Sequence, residues 1–222
     1  MKKELVAVVT VRKGSQRVKN KNLKPFSKKN LLIHKILTLK KIKELDEIII
    51  NTNSNEAIQI AKKLNVGFFK RDEYYASSNC TNSEFWSNIA KNTNSRYIMF
   101  THCTNPLVKE KTYREFIGVF KKYKNKFDSF NTVSEVKEFL FMKNKPINFN
   151  PKKSPNSQNL PDIVKLNFAI NILLTEQMFK TKTLIGRKPY FFKLNQIEGY
   201  DINTPLEFSF AEHLFNNINK KN

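Results

Sequence analysis

Apolar and polar positions along the chain follow two alternating rhythms. Leu5 to Val11 is a short, continuous, largely β-branched apolar run, the pattern of a buried strand. Arg12 to Asn22 turns polar and basic and predicts a loop. From Leu31 to Ile42 the apolar residues Leu32, Ile36 and Leu39 recur at helical spacing. Glu47 to Asn51 carries consecutive isoleucines and predicts a second buried strand, and Val66 to Phe69 a third. Asn53 with Glu56 resembles a capping box, which sets a helix from about Ser54 to Leu64. Thr81-Asn82-Ser83-Glu84 is a second capping box and opens a helix to about Lys91. Tyr97 to Thr101 predicts a strand, Thr112 to Lys122 a helix, and Asp128 to Val133 another strand. Phe168 to Leu174 returns as a strand. Thr204, Pro205 and Glu207 supply a cap, a proline at the first helical position and an acid in the first turn, so a last helix runs to about Asn217.

Strands alternating with helices of this length imply βαβ units. The fold class that follows is α/β, a Rossmann-like, mainly parallel sheet flanked by helices. The rhythm breaks after Glu135. Residues 136 to 165 are polar and contain Pro146, Pro151, Pro155 and Pro161, too long a stretch for a simple connector. We read one domain over 1–222 with an inserted lobe at about 136–190.

Composition narrows this picture. The chain has 222 residues, 40% of them hydrophobic, with 19 Phe and 7 Tyr to fill a core. A formal charge of +21 suits a polyanionic partner. The lysines, however, are spread along the chain rather than gathered, which favours background composition. A nucleic-acid-binding module is the competing reading from another class, but neither an aromatic-basic strand signature nor a helix-turn-helix pattern accompanies the charge. Cys80 and Cys103 are the only cysteines and lack CxxC spacing, so no disulfide framework is expected. Neither a signal peptide nor a run of membrane-spanning length is visible, and a cytoplasmic protein without nucleic-acid or membrane partners is expected.

In open α/β sheets ligands bind beyond the carboxyl ends of the strands. The richest such segment is Arg12-Lys13-Gly14-Ser15-Gln16-Arg17-Val18-Lys19-Asn20-Lys21-Asn22. Backbone N–H groups around Gly14 and Ser15 can form an anion-binding nest, and Arg12 and Lys21 can neutralise a polyphosphate. The segment is neither a Walker loop nor a dinucleotide fingerprint. By spacing alone it fits a solvated basic loop and a phosphate site equally.

The segment resembles the signature of the CMP-sialic acid synthetase family (acylneuraminate cytidylyltransferases), roughly A-R-G-G-S-K/Q-R/G-I/V-P-x-K-N. Five further stretches resemble family motifs in the same order. Arg71 to Ala76 is similar to R-P-x-x-L-A, and Thr101 to Leu107 to L-Q-P-T-S-P-L. Gln158-Asn159-Leu160-Pro161 and Asn167-Phe168-Ala169-Ile170 are similar to Q-x-L-P and N-G-A-I, and Asp201 to Pro205 to D-I-D-T-P. The resemblance implies the fold of the nucleotide-diphospho-sugar transferases and transfer of CMP from CTP to an acidic, nonulosonic-acid-like sugar, with release of pyrophosphate, for surface polysaccharide (capsule) or glycan synthesis. It implies Lys21, Arg12 and Asp201 as catalytic residues. The nucleotide-binding set becomes Arg12, Gly14, Ser15, Lys21, Asn22, Arg71 and Thr81. Asp201 and Asn203 stand where the family holds Mg²⁺, and His102, Gln158, Lys165, Asn167 and Phe168 fall on the acceptor side. It also implies a homodimer formed through the inserted lobe.

Departures from the pattern cluster on the acceptor side. Asn203 replaces the second aspartate, so Mg²⁺ must lean on Asp201 and the triphosphate. His102 replaces a glutamine, Ser157 and Lys165 replace arginines, and Phe168 replaces a glycine. A lysine is a point charge rather than a bidentate fork, so carboxylate recognition weakens. An acceptor that is a sugar or polyol phosphate, giving a CDP product, therefore stands as the alternative. His102 is readable as a base or as a neutral hydrogen-bonded residue, Cys103 as packing, His34 and His213 as structural, and Trp86 as core or interface.

Overall fold

The computed structural model describes residues 2–15 and 17–220. Seven strands form one sheet: β1 (Lys3–Val11), β2 (Glu47–Thr52), β3 (Gly67–Lys70), β4 (Ser95–His102), β5 (Ser129–Val136), β6 (Ile163–Leu174) and β7 (Pro189–Leu194). Their spatial order is β7-β5-β6-β4-β1-β2-β3. β6 runs antiparallel to both of its neighbours, and every other neighbouring pair is parallel. The chain steps outward from β1 to β2 and β3, then crosses back to place β4 on the other side of β1. That reversal makes a switch point at the carboxyl ends of β1 and β4, where Thr10 pairs with His102.

From Leu5 to Val9 β1 is continuously apolar and buried because helices cover both faces of the sheet. Leu5, Ala7, Val9 and Val11 pack with α1 (Leu31–Leu39), α2 (Asn55–Lys63), α4 (Glu110–Tyr123) and α6 (Pro205–Lys220). Val6 and Val8 point the other way, into a smaller core with Ile98, Phe100 and the helices α3 (Asn82–Lys91) and α5 (Thr175–Thr181).

The mainly parallel α/β sheet stands as expected, with several local corrections. The cap of α2 is Ser54, whose side chain accepts from the Ala57 amide, not Asn53. Asn53 instead accepts from the Lys13 amide at 2.8 Å and donates to Glu73, holding the basic loop to the end of β2. The capping box at Thr81 and Glu84 forms as read. α1 ends at Leu39, short of Ile42, although Ile42 is buried just beyond it. Of the segment 136–190, much belongs to the sheet layers: β6 begins at Ile163, and α5 and the start of β7 follow. What projects is a short lobe, with a hairpin pairing Phe141 and Met142 to Pro146 and Lys145 and two 3₁₀ turns. Lys221 and Asn222, the end of the lysine-asparagine tail, lie outside the described residues.

β6 carries an irregularity between Leu166 and Asn171, where its register against β5 shifts. Phe168 sits in it with φ +54°, a left-handed conformation that glycine adopts without cost. The backbone need that a glycine meets in the resembled motif thus persists here and is met by a phenylalanine. Gly199 lies against the same region, and a Cβ there would stand 2.4 Å from Ser134 Oγ. Ser134 Oγ accepts a hydrogen bond from Asn167 Nδ2 in the irregularity. Gly199→Ala should therefore cost about 1–3 kcal/mol through overpacking, read as a melting temperature several degrees lower at unchanged secondary structure.

Candidate active site

A cleft of about 450 Å³ opens at the switch point. Its walls include Arg12, Ser15, Lys21, Asn22, Arg71, His102, Phe168, Asp201 and Asn203. Nine of the residues singled out from the sequence thus converge, from the first loop, the end of β3, the end of β4, the irregularity in β6 and the segment before α6. The charged groups on the walls are the four cations Arg12, Arg17, Lys21 and Arg71, against the single carboxylate of Asp201. The local balance is strongly positive whatever the background charge.

The cations are used differently. Arg12 is exposed at the rim and donates to the Ala76 carbonyl at 3.1 Å. Lys21 reaches across the cleft and donates to the Ile202 carbonyl at 2.5 Å. Burial pushes its ammonium below the usual lysine range, with Asp201 pulling the other way. Arg71 is 4% exposed. Its guanidinium donates to the carbonyls of Val11 at 2.6 Å and Asn51 at 2.9 Å, closing the ends of β1 and β2. It also lies 4.7 Å from the ring centre of Phe85. Burial, then the neighbouring Arg12, pushes it down to about 10. Arg71 is therefore a buried clamp that shows one face to the cleft, not a surface ion-pair residue.

Asp201 Oδ2 accepts from Asn203 Nδ2 at 2.8 Å. Asp201 Oδ1 and Asn22 Oδ1 are buried with no partner among the described residues. Each such atom costs on the order of 1–3 kcal/mol unless a ligand or ion engages it. The Asn203 amide orients the carboxylate and adds no charge to it. No cluster of three or more His, Cys, Asp or Glu suited to a metal occurs among the described residues.

His102 stacks on Phe168 at 5.9 Å and 18° and meets Phe100 edge-on. Burial holds its imidazole down to about 4; Asp201 opposes this, while Lys35 and Lys21 add to it. It is neutral at physiological pH. Burial likewise pushes the Cys103 thiol up to about 12, in keeping with a packing role.

Several expected residues stand elsewhere. Thr81 commits its hydroxyl to the cap of α3, and its neighbour Asn82 lines the cleft instead. Gly14, with φ +81°, shapes the loop without lining the cleft, and Gln16 of the same signature lies outside the described residues. Asn167 is 5% exposed. Its side chain is spent inside the sheet on Ser134, Thr132 and the Ala169 amide, so it supports Phe168 rather than facing the cleft. Gln158 and Lys165 are exposed and do not line the cleft. Arg17, Tyr75, Ser77, Cys80, Phe85 and Trp86 line it without having been singled out as ligands. Only Arg17 carried a signal, as one more cation in the loop. Trp86 also packs against the smaller core, the role its sequence position suggested.

Comparison with known proteins places these features in context. The family model described as cytidylyltransferase matches residues 6–218. The chain is 23% identical over 239 residues to the post-translational flagellin modification protein B of Campylobacter coli, covering 99% of this chain and 97% of that one. It is 22% identical over 233 residues to the CMP-N,N'-diacetyllegionaminic acid synthase of Campylobacter jejuni, covering 95% and 94%. Among solved structures, a CMP:2-keto-3-deoxy-manno-octonic acid synthetase in complex with CTP superposes with a TM-score of 0.69 at 11% identity, covering 96% of this chain and 99% of that one. At that identity the likeness shows the fold.

The state of His102 is directly measurable. Its imidazole should stay neutral in an NMR titration from pH 8 down to about 4, whereas an unperturbed histidine titrates near 6.5. The folded value lies below the unfolded one, so the unfolded chain binds the extra proton first. The stability that His102 contributes above 6.5 is lost progressively as the pH falls toward about 4.

Proposed function

The chain belongs to the cytidylyltransferase family, and from that membership we propose that it transfers CMP from CTP to an acidic, nonulosonic-acid-type sugar, releasing pyrophosphate. The observation that carries this reading is the cationic cleft at the switch point, with one carboxylate opposite Lys21. The name of the legionaminic acid synthase relative supports the acceptor class. A cytoplasmic enzyme making an activated sugar for surface polysaccharide or glycan assembly is part of the same reading. No helix among the described residues is long and apolar enough to cross a membrane.

In this reaction an acceptor hydroxyl oxygen forms a bond to the α-phosphorus as the bond to the bridging oxygen breaks. The electron pair leaves on pyrophosphate and the hydroxyl proton is released. Negative charge gathers on the phosphoryl oxygens, and preorganised cations stabilise it without having to reorient. Arg12, Arg17 and Lys21 are placed for this work. Ser15 and the backbone around Gly14 complete the phosphate cradle, and Asn22 and Arg71 shape the nucleotide side.

Mg²⁺ fits the donor set as an ion held by one carboxylate, substrate phosphates and waters. Asp201, with its unpaired Oδ1, is the protein ligand in this reading, and Asn203 fixes its orientation. When bound, the ion supplies further neutralisation of the triphosphate.

On the acceptor side, His102 and Phe168 form a flat wall. The lobe exposes Phe139, Phe141, Met142 and Ile147, an apolar surface suited to a second copy, so we place a homodimer contact there. The second reading, a sugar-phosphate acceptor, is motivated by the departures from the resembled motifs at Ser157, Lys165 and Phe168, of which only Phe168 lines the cleft.

Pyrophosphate release from CTP and Mg²⁺ should appear with 2-keto-3-deoxy acid sugars and not with sugar phosphates. Activity confined to the phosphates would transfer the protein to the second reading, and failure to bind CTP would sink both. Lys21→Ala should lower kcat/KM by about 10²–10³, the usual scale for losing one charge-stabilising donor. The active Lys21 is the protonated form, and its pKa lies below 10.5 in the free enzyme. The profile of kcat/KM should therefore turn down with rising pH earlier than a free lysine would dictate.

A further inference from the structure

Lys35 lies on α1 beneath the cleft and is 4% exposed. Among the described residues it forms no ion pair. Its ammonium donates instead to the Asn105 carbonyl at 3.0 Å and to the Tyr113 hydroxyl at 2.6 Å. Tyr113 shares a hydrogen bond with Thr101, which in turn donates to the Ala169 carbonyl. An ammonium buried without a counter-charge is costly, and an apolar side chain would fill the position without that cost. What the ammonium brings is a charge-assisted grip on two oxygens, stronger than a neutral contact.

The grip falls on a joint. Asn105 is fully buried, and its Nδ2 donates to the carbonyls of Asn167 and Tyr200, both at 3.3 Å. The preceding carbonyl, that of Thr104, accepts from the Ile202 amide at 2.9 Å. The turn after β4 therefore holds the backbone on both sides of Asp201, at Tyr200 and at Ile202. Through Asn167 it also holds the residue before Phe168. No other turn among the described residues grips both walls of the cleft in this way.

We propose that Lys35 is a positioning residue for the transfer reaction: by fixing the Asn105 carbonyl it sets the turn that keeps Asp201 and Phe168 in register across the cleft. The catalytic part of this inference rests on the cytidylyltransferase reading; the structural part does not. Misplacing reacting groups by small distances costs rate rather than ground-state affinity.

Lys35→Met removes the charge and keeps the length. The Ile202 amide should then exchange its hydrogen about tenfold faster or more, while the Ile49 amide of β2 is unchanged. With CTP and a working acceptor, kcat should fall about tenfold or more with the KM for CTP altered by less than about threefold. Lys35→Met combined with Asn105→Ala should lose little beyond the larger single effect, since both act on one joint. Unchanged Ile202 exchange in Lys35→Met, or losses that simply multiply, would overturn the proposal. Should the wild type turn over no acceptor, the exchange measurement still decides the matter while the cytidylyltransferase reading fails separately. If Lys35→Met does not fold, Asn105→Ala reads the same joint from its other end, and unchanged Ile202 exchange there overturns the proposal equally.

Discussion

The clasp of Arg71 on the ends of β1 and β2 is the interaction from which the cleft takes its form. Parallel strands end in carbonyls with no further ladder partner, and a buried, unpaired carbonyl is costly. One guanidinium satisfies Val11 and Asn51 together and lies over Phe85 of α3. The first loop can then leave β1 abruptly and fold back over the strand ends. Its second tether, from the Lys13 amide to Asn53, lies on the same side. A loop fixed in this way presents Arg12, Arg17 and Lys21 inward despite their mutual repulsion. That repulsion has a trace in the depressed affinities of Lys21 and Arg71 for their protons, each lowered by burial first and by neighbouring cations after it.

The basic loop along the cleft was legible in the sequence because its signals are local. A largely β-branched strand followed at once by a basic, glycine-containing loop needs no distant partner to be recognised, but alone it fitted a solvated loop and a phosphate site equally until the later motifs tipped it. Asp201 was singled out through the resemblance to D-I-D-T-P, while the helix start at Thr204 and Pro205 just beyond it was legible locally. Arg71 was placed correctly but its task was not legible. Nothing in a sequence shows that a fork will face two carbonyls that come from strands far apart in the chain.

The residues around the irregularity in β6 were less legible because they act through tertiary contacts. Asn167 looked like a ligand from its motif, yet Ser134, Thr132 and Ala169 consume its amide. β7 was missed: Pro189–Leu194 starts at the very end of the segment assigned to the lobe, and no strand was expected there. It forms against β5 through aromatic packing of Tyr190 and Phe192 that no local periodicity reveals. The position of Lys35 was equally silent, since a lysine on an amphipathic helix ordinarily reads as solvent-facing.

The same distinction clarifies the charge of the chain. A net +21 invites a polyanion as partner, but dispersed lysines on solvated faces create a weak, salt-screened field. The cleft gathers four cations around one carboxylate, and those withdrawn from water, Arg71 above all, count for more than a solvated lysine. His102 shows the effect from the opposite side. Burial, with Asp201 opposing it and Lys35 and Lys21 adding to it, keeps a proton off the imidazole, which becomes a neutral plate stacked on Phe168. The contrast between a cationic wall and a neutral aromatic one follows from placing Phe168, in a conformation natural to glycine, against His102 at the end of β4.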